Sequence, residues 1–265
     1  MTTQLQISDT IIAGHAQAIA LRSFLPVTSE PLPIVLYFHG GGFVEGGLPD
    51  AAVPAAFLAS KVCTWVVAVG YSLAPKYPFP AAAEDAYLAL QWAVEQAHHH
   101  NADSKRLASV GHDAGGNIAA ALGAVARDRG KYRVSAQALL APLLDPSLSR
   151  IPDASHQDKR QPELDECARA YRAYLPMAGQ CMHPYAAPLE SRRLGKLPPT
   201  MIATAEHDLV RVDGEAFARE LISAGVPVEI TRYAGATHAG LISHGPSLED
   251  VAAFLRKQLA SGRKL

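Results

Sequence analysis

Short, wholly apolar runs alternate with alanine-rich helical stretches along most of this chain, and that alternation limits the fold more than any other feature. Ile34-Val35-Leu36-Tyr37-Phe38 is a continuous apolar run that stops at glycines. Such a run reads as a strand buried on both faces and ending in a loop. Residues 64–69, 106–110, 134–141, 200–205 and 228–233 read as further strands. Between them, residues 81–97, 115–127, 212–224 and 248–259 read as helices, and Gly225 stands where a C-cap belongs. Strand and helix in regular succession imply an α/β fold, with a mostly parallel central sheet and helices on both faces. Residues 5–25 look like a strand pair leading in. Residues 146–199 break the pattern: they carry several prolines, no clear strand and one helix over about 162–174. That stretch is too long for an ordinary connection. We expect a small cap insertion within a single domain, 1–265, placed at the strand ends where open α/β sheets bind ligands.

Composition narrows the partners. With 265 residues, 49% hydrophobic and 18% charged, the chain supports a sizeable core and is not intrinsically disordered. Lys plus Arg is 24 and Asp plus Glu is 25, with no basic block, so a nucleic-acid partner is not expected. No run approaches the ~18 apolar residues of a spanning helix, and no basic amphipathic helix suggests a membrane surface. The opening MTTQLQISDT is polar and unlike a signal peptide. Cys63, Cys167 and Cys181 lack metal-ligand or disulfide spacing, which points to a reducing, cytoplasmic setting. No cofactor or metal is expected. The expected partner is a small molecule, a substrate or ligand. Residues 228–233 would be an edge strand, through which a homodimer is conceivable.

Three motifs carry chemistry. His39-Gly40-Gly41-Gly42-Phe43 directly follows a buried strand. Consecutive glycines there let backbone N–H groups approach a ligand and form an oxyanion hole. Gly111-His112-Asp113-Ala114-Gly115-Gly116-Asn117 lies between a strand and a small-residue helix, the setting of a G-x-S-x-G elbow, but with Asp113 at its centre. Asp113 could equally be a helix N-cap, where the dipole favours negative charge. Downstream, Asp208 and His238 each follow a strand, and a carboxylate that orients a histidine completes the order nucleophile, acid, base.

Together with Tyr71-Ser72-Leu73-Ala74-Pro75 and Phe79-Pro80-Ala81-Ala82, these motifs make the chain resemble the hormone-sensitive-lipase-like family of α/β-hydrolase esterases, over about residues 34–259. The resemblance implies an α/β-hydrolase fold and small or medium, fairly apolar esters as the substrate class. It implies that the amides of Gly41, Gly42 and Ala114 form the oxyanion hole, with Asp208 the acid and His238 the base. Asp113 takes the nucleophile position. The chain departs from the family at that nucleophile, at His112 where an acid is usual, and at Lys76 where a Glu is usual. Ser109, in the strand, is no substitute. Residues 1–38 precede His39 without the family's N-terminal cap helices, so a more open pocket is expected.

An aspartate cannot replace serine in acyl transfer, because attack on an ester would give a mixed anhydride. Carboxylates are competent nucleophiles at saturated carbon, as in the haloalkane dehalogenases and epoxide hydrolases of this fold. There the tetrahedral intermediate forms on the aspartate itself, and the oxyanion hole still serves. Four readings therefore stand: an esterase-like hydrolase, a silent ligand-binding pseudo-esterase, an Asp-nucleophile hydrolase of alkyl halides or epoxides, and an esterase with an engineered serine-to-aspartate change at the elbow. Flanked by Asp113 and Asp208, His238 should hold its proton tightly. Trp65, Trp92, Tyr171 and Tyr174 read as packing residues. His98-His99-His100 reads as a solvated helix end, and Arg192, Arg193 and Lys196 as a solvated loop.

Overall fold

The computed structural model describes residues 4–151 and 161–260. Among them, β1 (Leu5–Ala13) and β2 (Ala18–Pro26) form an antiparallel hairpin. The strands β3 (Leu32–Phe38), β4 (Trp65–Gly70), β5 (Ala102–His112), β6 (Ala136–Leu140), β7 (Thr200–His207) and β8 (Val228–Thr237) run parallel. They join one sheet in the order β1-β2-β4-β3-β5-β6-β7-β8, with β2 antiparallel to β4. Every residue of β3 and β6 is buried, as expected when helices cover both faces, and the one polar side chain in β6, Gln137, donates to the Thr200 hydroxyl at 2.9 Å. β5 is longer than expected at both ends and β8 at its C-terminal end. Ala102-Asp103-Ser104-Lys105 has no apolar pattern, and its backbone is recruited across a register shift opposite β3.

The helices α2 (Ala81–Gln96), α3 (Ala114–Arg129) and α5 (Arg211–Ser223) pack on one face, α1 (Leu48–Val62) and α6 (Gly245–Gln258) on the other. The sequence reading places no element over 48–62, a stretch that contains Pro49 and Pro54. The structure nevertheless forms α1 there, with Pro49 in the first turn and Pro54 inside the helix. Burial of Ala51, Ala55, Leu58, Ala59 and Val62 at helical spacing overrides the cost of Pro54. α3 is buried all round from Ala114 to Ala126, which its small residues permit. Trp65 is fully buried and packs against Trp92 and His100, so the tryptophans belong to the core.

Between β6 and β7 the described chain holds no strand. It carries α4 (Gln161–Tyr174), which lies at the C-terminal ends of the parallel strands. Tyr174 stacks flat on Phe43 at 3.9 Å, and Tyr171 meets the same ring at 5.7 Å. The Phe79 N–H donates to the Tyr174 carbonyl at 2.9 Å. Burial of each tyrosine contributes roughly 1.5–3 kcal/mol, so these two residues pin the helix to the body. Part of the expected cap, residues 152–160, lies outside the described residues.

Candidate active site

The elbow is a single residue wide. β5 ends at His112, α3 starts at Ala114, and Asp113 between them has φ 56° and ψ −122°. A non-glycine residue in that conformation stores about 1–3 kcal/mol, which neighbours must offset. The offset is visible in the backbone: the Asp113 N–H donates to the Leu140 carbonyl at 2.9 Å, and the Asp113 carbonyl accepts from Gly116 at 3.0 Å. The flanking glycines are demanded by contact. A Cβ on Gly111 would lie 2.0 Å from the Gly115 carbonyl oxygen, and one on Gly115 would lie 2.1 Å from the Phe38 oxygen. The start of α3 is thereby pressed onto the ends of β3 and β5.

The carboxylate of Asp113 occupies the glycine turn that was expected to form the oxyanion hole. Its Oδ2 accepts from the Gly41 and Gly42 amides, each at 2.8 Å. The Ala114 amide, expected to be a third donor, makes no bond to that oxygen. Gly41 sits at φ +114°, and a Cβ there would fall 2.2 Å from the Glu45 carbonyl oxygen, so this turn accepts only glycine. Val44 and Glu45 close it by donating to the Gly41 carbonyl at 3.0 Å. His39 faces away from the chemistry: its Nδ1 donates to the Gly40 carbonyl and its ring stacks on Tyr71. The Tyr71 hydroxyl donates to the His39 carbonyl at 2.9 Å and fixes the root of the turn.

The other oxygen, Asp113 Oδ1, lies 3.4 Å from His238 Nε2, and His238 Nδ1 lies 3.1 Å from Asp208 Oδ1. Asp208 Oδ1 also accepts from the Val210 amide at 3.0 Å, while its Oδ2 is buried without a partner. His112 Nε2 is 2.9 Å from the His238 carbonyl and must be the donor there. Burial disfavours a charged His238, but hydrogen bonds and charge from Asp113 and Asp208 outweigh it and push its pKa up to about 10. Burial likewise raises the Asp113 pKa, yet His238 and the Gly42 amide together hold it well below the usual carboxylate range. His112 is shifted the other way, first by burial and then by the charge of His238, so it stays neutral at neutral pH. The resting site is an imidazolium between two carboxylates.

A cleft of about 860 Å³ opens above these groups. The glycine turn, His112, Leu143, the loop after β7 and α4 bound it, with Cys167, Ala170 and Ala173 of α4 at three-residue spacing on its wall. That spacing was the available signal for these cleft-facing positions, which sequence reasoning left unassigned. Tyr171 and Tyr174 are not on the wall; their hydroxyls are buried without a partner. Ser109 donates to the Ala119 carbonyl deep in the core. Arg193 pairs with Asp128, and Lys76 lies over the Tyr77 ring. Among the described residues, no three His, Cys, Asp or Glu side chains are grouped to hold a metal ion, and no helix is long and apolar enough to cross a membrane.

This arrangement of sheet, elbow, glycine turn and acid-histidine pair defines a class. The chain belongs to the alpha/beta hydrolase fold family, whose pattern matches residues 35–242. Its relatives there make it an esterase-like hydrolase. It is 39% identical over 236 residues to Esterase LipI of Mycobacterium tuberculosis, covering 86% of this chain and 72% of that protein. It is 31% identical to an arylesterase of Saccharolobus solfataricus, over 83% of this chain and 72% of the relative. A hyperthermophilic esterase from the archaeon Pyrobaculum calidifontis superposes with a TM-score of 0.87 at 34% identity, covering 95% of this chain and 83% of that one.

Proposed function

We propose that the chain is an esterase-fold hydrolase in which Asp113 replaces acyl-serine chemistry with covalent attack on a saturated carbon. One observation carries this reading. Asp113 Oδ2 already occupies the two glycine amides, which leaves Oδ1, 3.4 Å from His238 Nε2, as the oxygen not bound to the turn, on a residue that lines the cleft. A carboxylic ester cannot place its carbonyl oxygen in a hole that is filled. An alkyl electrophile needs no hole in the first step. Asp113 Oδ1 bonds to carbon, the leaving group departs, and an alkyl ester remains on Asp113. Its carbonyl oxygen is Oδ2, already polarised by two N–H groups. Esterification removes a negative charge that holds the proton on His238, so the histidine gives that proton to the leaving group or to solvent and becomes a base for water. Water attacks Cγ, charge collects on Oδ2, and the alcohol leaves. Small, fairly apolar alkyl halides and epoxides are the substrate class.

A second reading is favoured by the resting charge state. An imidazolium cannot act as a base, and a pocket with that ion would bind ligands without turning them over. Single turnover of short alkyl halides and epoxides in heavy-oxygen water separates the two. Covalent catalysis incorporates label into the peptide containing Asp113. Turnover that labels only the product excludes it, and binding without turnover supports the pseudo-esterase.

A further inference from the structure

Alkylation of Asp113 puts negative charge on the leaving atom, and the cleft has little to receive a free anion. Its described wall holds no Trp, Asn or Gln side chain. Trp65 is in the core, and the hydroxyls of Tyr171 and Tyr174 are buried off the wall. Arg169 reaches the wall, but from an exposed position on α4 next to Glu163 and Glu166. The donor beside the nucleophile is His238 Nε2, 3.4 Å from Asp113 Oδ1. That separation is long for a charge-assisted hydrogen bond, so the N–H is only loosely committed to Oδ1.

Resting on the Asp113 reading above, we propose that the preferred electrophile is an epoxide, and that His238 serves in turn as acid and base. An epoxide keeps its leaving oxygen attached and asks only for a proton. In the first step the Oδ1–carbon bond forms and the ring carbon–oxygen bond breaks. The ring oxygen takes the Nε2 proton. The result is a hydroxyalkyl ester on Asp113 and a neutral His238, the form that the second step needs. Water then attacks Cγ and gives a proton to Nε2, and the ester bond breaks with charge held at Oδ2. Of the two water protons, one ends on the second hydroxyl of the diol and the other restores the imidazolium. A halide leaves without taking a proton, so His238 must first release its proton to solvent before it can serve the second step, a release that epoxide opening makes unnecessary.

The proton is held by groups from several elements. Asp113 at the elbow and Asp208 after β7 touch the ring, and the neutral His112 ring lies at 5.0 Å. Further out on the wall are Glu45 from the glycine turn, Glu163, Glu166 and Arg169 from α4, Cys167 (its thiol pushed up to about 12, chiefly by burial) and His207 from β7. Of these groups, the Asp113 and Asp208 carboxylates in contact with the ring are the ones that hold its charge.

The test uses the full chain with styrene oxide and 1-bromobutane, following the Asp113 adduct by rapid quench and mass spectrometry from about pH 6 to about pH 11. Expected is epoxide alkylation that declines above about pH 10 while bromide alkylation does not decline with it. In His238→Gln, the epoxide-to-bromide ratio of adduct formation should fall about 100-fold. Equal pH profiles with an unchanged ratio overturn the acid role and the epoxide preference, and leave Asp113 as a nucleophile. No adduct from either probe overturns the Asp113 reading itself.

Discussion

The floor and the roof of the cleft are built on different principles. The floor is backbone: two glycine amides, an elbow in a strained conformation, and strand ends that deliver Asp208 and His238. The roof, α4, is side-chain packing: Tyr171 and Tyr174 press on Phe43, while Glu163, Glu166 and Arg169 face water. A backbone frame is indifferent to the one side chain it presents, so a single residue at 113 can change the chemistry and leave the geometry intact. A packed roof has the opposite character. Its residues set access and stability and are sensitive to volume.

The comparison is sharpened most by Asp113→Ser. It empties the oxyanion hole and leaves Asp208 and His238 in place, so hydrolysis of para-nitrophenyl acetate should rise by about 10³-fold or more over the parent chain. A parent that already matches the variant would break the distinction between frame and presented group. On the roof, Tyr174→Ala removes the stack on Phe43 and should cost about 3–5 kcal/mol in denaturant unfolding. Asp213 probes the joint between the two regions, since its Oδ2 accepts from the Leu144 and Asp145 amides where the chain leaves β6. Burial, aided by Asp145, raises its pKa from 3.8 to about 7, against the pull of those amides and Arg150. The folded state therefore holds a proton that the unfolded state releases, and stability declines as pH rises through that window. Asp213→Asn should stabilise the chain by about 2 kcal/mol at pH 8 and by nothing measurable at the acid end, as read from urea midpoints. Smallest is Tyr174→Phe, which keeps the stack and removes a buried hydroxyl with no partner. Its expected effect is neutral to about 1 kcal/mol stabilising.

What could be read in the sequence follows the same division. The floor was legible because backbone contacts demand particular residue types: no side chain fits at Gly111 or Gly115, and only glycine takes the Gly41 conformation. The buried parallel strands were legible because both faces are covered. α1 was not, since Pro54 argues against a helix that only tertiary burial supports. The first residues of β5 were not, since their backbone pairs without an apolar pattern. The roof was half legible: Tyr171 and Tyr174 read as packing residues, but the cleft-facing Cys167, Ala170 and Ala173 are small and carry no chemical signature. Least visible of all was the occupancy of the hole. An aspartate at an elbow does not announce which of its oxygens meets the glycine amides.

The account turns on the proton between Asp113 and Asp208. Nitrogen NMR of His238, titrated in the parent chain and in Asp113→Ser, measures it directly. The imidazole should remain protonated up to about pH 10 in the parent and lose its proton at lower pH in the variant. A His238 that is neutral at pH 7 in the parent, or unmoved by the substitution, would contradict the coupling of Asp113 to the histidine on which the proposed chemistry depends.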